Sequence, residues 1–396
     1  MNIEAIIGPP GCGKTTELVS IVNNIVDKGG NPLVIALTRS ARDEILSREV
    51  KVDPDNIRTL HSVAGRIARV IGPRRSKAIK IADTRNNYVK WNELYPRWRL
   101  SLSSSSWDDI PFASNRTVGD KMMLEYNNAR LRMDEMNLRY YLSTPFVKAW
   151  IQFCRENRLR DFTSFIEQCY YKKAIMPKKY THLIVDEAQD LSRLELALLN
   201  RWAKQCQSLI MVGDPYQNLY EWRGTEPNGF NTLAADVRIL KQSYRVPDSV
   251  HGLATAWIRG LSNYELIEYY PTNKKGTVGT ISHENVIKII QESCKNGKTV
   301  RLIGSNNRLL GNWRINKNLK RLKGFRITTI HGAKGREADV VILLTNISRA
   351  SSAVWHGYDK AKKDSIYREF YVAITRAKEN LYICYDEVVG GDFIDL

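Results

Sequence analysis

The chain has 396 residues, with 60 Lys+Arg against 42 Asp+Glu, a formal charge of +18, 43% hydrophobic and 26% charged residues. That composition excludes a disordered, collagen-like or coiled-coil chain, and no apolar run approaches the ~18 residues of a membrane-spanning helix. At roughly 150 residues per domain the length suits two to three domains, and the excess charge points to a polyanionic partner, above all a phosphate backbone.

Short runs rich in β-branched residues recur at 3–7, 33–37, 183–186, 209–212, 299–303, 327–330 and 340–344, with helical stretches such as 15–26 and 284–293 between many of them. Strand–helix alternation predicts α/β units with parallel sheets covered on both faces. Two such blocks are visible. The stretch 81–167 is instead helical, aromatic and polar, and reads as an insertion into the first block. The expected organisation is a first domain from 1–80 and 168–240, a helical insertion at 81–167, and a second domain at 241–396. Arg66, Arg69, Arg74, Arg75, Lys77, Lys80, Arg130, Arg132, Arg155, Arg158 and Arg160 crowd the insertion and its approach, as a nucleic-acid contact or a solvated helix face would. Cys12, Cys154, Cys169, Cys206, Cys294 and Cys384 are scattered without a C-x-x-C pair, which argues against zinc, iron–sulfur or a disulfide framework. With no basic leader ahead of the first strand, a cytoplasmic protein is expected.

Residues 8–15 read GPPGCGKT, the G-x-x-x-x-G-K-T pattern, placed after a strand and before a helix. Gly8, Gly11 and Gly13 let backbone N–H groups turn around phosphate oxygens, and the helix start presents partial positive charge to the same anion. Lys14 would meet the outer phosphates and the Thr15 hydroxyl would bind Mg²⁺, with Thr16 beside it. Residues 186–190 read DEAQD at the end of a strand. Asp186 suits the Mg²⁺ shell and Glu187 suits a general base for water, although DEAQD is also an ordinary start for the next helix.

Six further segments, in order, resemble superfamily 1 helicases, the UvrD/Rep/PcrA branch in particular: TRSA at 38–41, TLHS at 59–62, GDPYQNLYEWRG at 213–224, LKQSYRV at 240–246, TTIHGAKGRE at 328–337 and YVAITR at 371–376, followed by Ala377 and Lys378. The resemblance implies two RecA-like P-loop NTPase domains with a mainly helical insertion in the first. It implies Gln217 as the sensor of the γ-phosphate or attacking water, and Arg245 and Arg376 as arginine fingers. Tyr244 would stack on adenine and Glu337 would bind the ribose; both residue types also suit plain packing or surface. Trp222, with Tyr220 beside it, would stack bases, worth roughly 1–3 kcal/mol per base, where a core pair would look similar. Thr38, Arg39, His61, Arg223, Thr329 and His331 would contact the nucleic-acid backbone from loops at the sheet edges.

Two departures from the family modify these expectations. The glutamine-containing segment that reads adenine in larger relatives is missing ahead of Gly8, so selectivity for ATP over GTP would rest on Tyr244. The large insertion of the second domain is reduced to a basic segment near 311–324, and deleting 312–323 should leave ATPase largely intact if that segment is a vestige. The resulting expectation is a monomeric ATP- and Mg²⁺-dependent DNA helicase, 3′→5′ by branch resemblance. Its partners would be single-stranded and tailed duplex DNA and replication or repair proteins, with no membrane. A translocase or remodeller without unwinding, and an RNA helicase of the same superfamily, remain open on sequence.

Overall fold

The computed structural model describes residues 2–71, 80–101, 117–385 and 392–396. Arg74, Arg75, Lys77 and most of the serine tract at 101–106 lie outside them. The chain packs as two compact units. One comprises Met1–Ile7, Lys14–Pro215 and Tyr220–Ile239; the other comprises Gly8–Gly13, Tyr216–Leu219 and Leu240–Leu396.

The first unit is built on six parallel strands: β1 (Asn2–Ile7), β2 (Pro32–Ala36), β3 (Ile57–Thr59), β6 (His182–Val185), β7 (Ser208–Gly213) and β8 (Asp236–Ile239), in the order β3-β2-β6-β7-β1-β8. All five residues of β2 are buried, as the continuous PLVIA run predicts for a strand covered on both faces. Neighbouring central strands end level, so Ile7 is opposite Gly213 and Ile35 opposite Val185. The loops that follow them therefore emerge at one carboxyl edge, where open α/β sheets bind ligands.

The insertion carries a parallel pair, β4 (Lys80–Ile81) with β5 (Leu159–Arg160), and helices Arg85–Leu94, Val118–Leu131, Glu135–Ser143 and Pro145–Glu156. It has its own aromatic core. Trp91 meets Trp150 edge-on at 5.2 Å and Phe153 at 5.4 Å, and all three are at most 1% exposed. One of the expected nucleic-acid arginines is buried here. Arg130, 2% exposed, makes paired bonds to Asp161 (2.9 and 3.0 Å) and reaches Glu167 at 2.6 Å. A buried ion network explains this residue, because an unpaired guanidinium at that depth would be strongly destabilising. Arg66, Arg69, Lys80, Arg132, Arg155 and Arg158 are exposed.

The second unit has five parallel strands: β9 (Thr277–Ile281), β10 (Val300–Gly304), β11 (Phe325–Thr329), β12 (Ala338–Leu344) and β13 (Ala377–Cys384), ordered β11-β10-β12-β13-β9. The basic segment near 311–324 does not behave as a vestige. It forms helices Gly311–Ile315 and Lys317–Lys320, and its Trp313 and Leu319, each 3% exposed, pack into the core with Val286, Ile290, Leu302 and Ile342. The charge in NWRINKNLKRLKG hides an apolar pair that no helical period announces over so short a stretch. Trp313→Ala is expected to cost about 3–5 kcal/mol in urea unfolding. Deletion of 312–323 should accordingly unfold this unit, reversing the expectation that ATPase survives it.

Candidate nucleotide and nucleic-acid sites

β1 delivers the chain into the turn Gly8–Gly13, after which the helix Lys14–Asp27 begins. Gly11 (φ 74°) and Gly13 (φ 76°) are left-handed, the conformation that turns successive N–H groups toward one concavity. A Cβ on Gly11 would also stand 2.5 Å from the Cβ of Arg245 and 2.9 Å from the Ser243 hydroxyl, so glycine is required twice over. The turn is fastened to the second unit's segment at 240–246. Tyr244 N–H donates to Gly11 O at 2.9 Å, and the Ser243 hydroxyl, fully buried, donates to Pro10 O at 2.8 Å. Ser243 was not singled out from sequence; a lone serine between Gln242 and Tyr244 has no spacing signal.

In the first unit, Lys14 and Thr15 are partly buried and Thr16 is exposed. The Thr16 hydroxyl accepts from the Arg48 guanidinium at 2.8 Å, another partner that sequence spacing does not predict. Asp186 extends the β6 ladder, its N–H donating to Ile35 O at 2.9 Å. Glu187 then takes a left-handed conformation (φ 52°, ψ 41°), strain of about 1–3 kcal/mol that turns the chain sharply at the strand tip. Its N–H donates back to Asp186 at 3.0 Å, and its carboxylate accepts from the Gln189 amide. The other end of Gln189, 0% exposed, accepts from Asp214 N–H at 2.9 Å. Gln189 thus ties the acidic tip to the start of the segment 213–224. Gly213 leaves room for it, since a Cβ there would lie 2.6 Å from the Gln189 oxygen.

Asp186 is 4% exposed, and burial foremost, then the neighbouring Glu187 charge, pushes its carboxyl up to about 7 against the pull of Lys14. Two adjacent carboxylates thus stand within electrostatic reach of Lys14. A hydroxyl and a buried carboxylate are oxygen donors of the kind a hard divalent cation takes, so Thr15 and Asp186 fit Mg²⁺.

The second unit assembles the other expected nucleotide residues. Arg376, 2% exposed, donates to the Gln217 side-chain oxygen at 2.5 Å, and Lys334 donates to Gln217 O at 3.0 Å. The ring of Tyr216 stacks on Tyr264 and meets Tyr371 edge-on at 5.8 Å, which explains why Tyr216–Leu219 packs with this unit. Arg245 pairs with Glu337 at 3.1 Å, and Tyr244 is 77% exposed, its ring available for stacking.

The expected nucleic-acid residues divide by burial. Thr38 and Arg39 are exposed at the start of the helix Arg39–Leu46, Thr38 capping it by accepting from Ala41 N–H. Trp222 and Arg223 are partly exposed, in a turn that ends at left-handed Gly224. The insertion holds this turn by its backbone: Asn128 donates to Trp222 O at 2.7 Å and Arg132 to Glu221 O at 3.0 Å. Tyr220 is 6% exposed, its ring 6.4 Å from that of Trp222, so burial suits it to prop the tryptophan. His61 is partly buried against the edge of Phe162. Thr329, 8% exposed, caps the helix Ile330–Ala333. His331 is 5% exposed with Nε2 3.1 Å from Leu219 O, so the neutral ring donates to a carbonyl inside the unit.

Burial lowers His331 to about 4, with Lys334 lowering it further against the Leu219 bond. An unfolded imidazole, near 6.5, binds a proton that the folded one refuses, so stability is complete above pH ~6.5 and falls as pH drops toward 4. Between pH 7 and pH 5 this group should cost about 2 kcal/mol, and His331→Gln should flatten that slope in urea titrations.

The UvrD/REP helicase N-terminal domain matches residues 3–238, and the UvrD-like helicase C-terminal domain matches residues 265–388. The chain is 25% identical to a probable DNA helicase of Mycoplasma pneumoniae, over 96% of this chain and 80% of that protein. It is 22% identical to DNA helicase IV of Escherichia coli over 99% of this chain and 67% of the relative. To the ATP-dependent DNA helicase Rep of Buchnera aphidicola it is 24% identical over 73% of this chain, spanning 46% of that protein. With the first domain alone covering more than half of its length, the chain belongs to the UvrD/REP helicase family.

Proposed function

We propose that this protein is an ATP-driven motor that moves along single-stranded DNA, 3′→5′, and opens duplex ahead of it. The observation that carries this reading is the segment 213–224. At Asp214 it is tied through Gln189 to the Glu187 carboxylate, at Gln217 it is held by Arg376 and Lys334, and at Trp222 its aromatic turn rests on Asn128. Nine residues therefore run from Asp214, tied to the acidic tip, to Trp222 in the base-stacking turn, so a change at the nucleotide displaces the ring that grips a base.

Lys14 and the glycine turn bind the polyphosphate. When bound by Thr15 and Asp186, Mg²⁺ would supply positive charge beside the two carboxylates. Glu187 orients the attacking water and takes its proton, while Arg245 and Arg376 neutralise charge on the transferred phosphoryl group. Gln217 senses that group, Tyr244 stacks on the base and Glu337 accepts from the sugar. Thr38, Arg39 and Arg223 hold the DNA backbone, and Trp222 stacks a base. The similarity to a probable DNA helicase and to an ATP-dependent DNA helicase supports this reading.

The test is ATP-driven strand displacement on matched duplexes with a 3′ or a 5′ tail. Opening of the 3′-tailed duplex alone is the expected result. Opening of neither, with ATP still consumed on single strands, would leave a translocase; opening of the 5′-tailed duplex would reverse the direction.

A further inference from the structure

The Arg245–Glu337 pair has an unusual construction for two residues that both serve a nucleotide. The backbone of Arg245 is fixed: its N–H donates to the Ser243 hydroxyl at 3.3 Å, as does Val246 N–H at 3.1 Å, and that hydroxyl is itself anchored on Pro10 O. The backbone of Glu337 is fixed as well, its carbonyl accepting from Arg301 at 3.3 Å next to the start of β12. Only the two side-chain heads are left to rearrange. The guanidinium side chain is 15% exposed and the carboxylate side chain 46% exposed, so the acidic partner is the one open to an incoming ligand.

A carboxylate oxygen that accepts from a guanidinium N–H can accept equally from an alcohol, and a vicinal diol offers two O–H donors to one carboxylate. A partly exposed ion pair is weak, so hydroxyls can displace it. We propose that Glu337 is a positioning residue for Arg245 as well as a sugar ligand. It holds the arginine aside until the two hydroxyls of a ribonucleotide take its carboxylate, and that exchange releases Arg245 toward the phosphates. The pair thereby makes sugar recognition a condition for charge neutralisation at the far end of the same nucleotide. Differential binding drives the exchange: the sugar prefers the state in which Glu337 is free of Arg245. This inference rests on the proposed ATPase reading and deepens it.

Two measurements separate its failure from failure of that reading. The first compares kcat and KM for ATP and 2′,3′-dideoxy-ATP on single-stranded DNA, in wild type and in Glu337→Gln. Wild type is expected to lose at least tenfold in kcat with the dideoxy nucleotide, because Arg245 stays held. Glu337→Gln, with no charge to hold it, should bring the two kcat values within about twofold. Discrimination confined to KM in wild type would make Glu337 a sugar ligand only and overturn the proposal. Absence of any ATP turnover in wild type would overturn the ATPase reading instead.

The second measurement needs no phosphate or turnover. Phenylglyoxal labelling of Arg245, followed by peptide mass spectrometry, should be several-fold slower in wild type than in Glu337→Gln. Adenosine should speed it in wild type, and 2′,3′-dideoxyadenosine should not. Equal labelling of wild type and variant, or equal effects of the two nucleosides, would overturn the exchange. Glu337 is nearly half exposed, so the variant is expected to fold.

Discussion

Glu187→Gln is expected to lower ATP turnover by about 10²–10⁴-fold while nucleotide and single-stranded DNA binding persist, because the substitution removes the proposed general base and little else. The structure gives reasons for that selectivity. An amide oxygen at 187 still accepts from the Gln189 amide, so the tie to Asp214 survives. Loss of the Glu187 charge also removes the largest cause after burial that holds the Asp186 carboxyl up near 7, leaving Asp186 more readily ionised and better suited to a cation. Nucleotide affinity measured by equilibrium titration should therefore stay equal or tighten. Turnover within threefold of wild type would remove Glu187 from the base role.

Arg376→Ala should be the most damaging single change to turnover, by about 10³–10⁵ if the side chain acts as an arginine finger. Its environment adds a second consequence. The guanidinium is 2% exposed and donates both to Gln217 and to Val372 O at 3.2 Å, so truncation removes two buried hydrogen bonds as well as a charge. A structural effect and a catalytic one separate in a double-mutant cycle with Gln217→Ala. If the pair acts as one device, the double variant should be no slower than Arg376→Ala alone, whereas independent roles would multiply. Urea unfolding of each variant reads the structural part directly. A folded Arg376→Ala protein with turnover within tenfold of wild type would sink the finger assignment.

The pair also defines what distinguishes this site from a generic phosphate-binding loop. Gly8–Gly13 and Tyr216–Leu219 flank strands of the first sheet in sequence, yet their packing belongs with Leu240–Leu396. Both carry residues expected to touch the phosphates. The backbone bonds from Tyr244 and Ser243 to the turn, and the side-chain bond from Arg376 to Gln217, are what draw them there. The glycine turn and Gln217 are thus hydrogen-bonded to the segment and side chain that carry the two arginines proposed to neutralise the phosphates.

The sequence by itself determined the parallel-sheet class, the glycine turn after the first strand, the acidic strand tip and the family. Each is written in local code: β-branched runs of strand length, glycines where left-handed φ is needed, and functional side chains at fixed short spacings. Tertiary structure decided which charges face water and which face each other. Arg130 looked like the other basic residues of the insertion until Asp161 and Glu167, more than 30 positions away, closed around it. His331 and Tyr220 sit in segments expected to touch nucleic acid, yet packing buries both side chains. Trp313 and Leu319 sit in a segment dominated by lysine and arginine, and only the folded sheet shows that they fill its core. Gln189 and Ser243 lie inside recognisable segments and Asn128 outside them, yet the long-range bonds of all three are silent in sequence, because a hydrogen bond to a distant backbone atom leaves no periodicity in the chain that makes it. Burial and long-range pairing depend on which surfaces the sheets bring together, and that information is held by the whole chain at once.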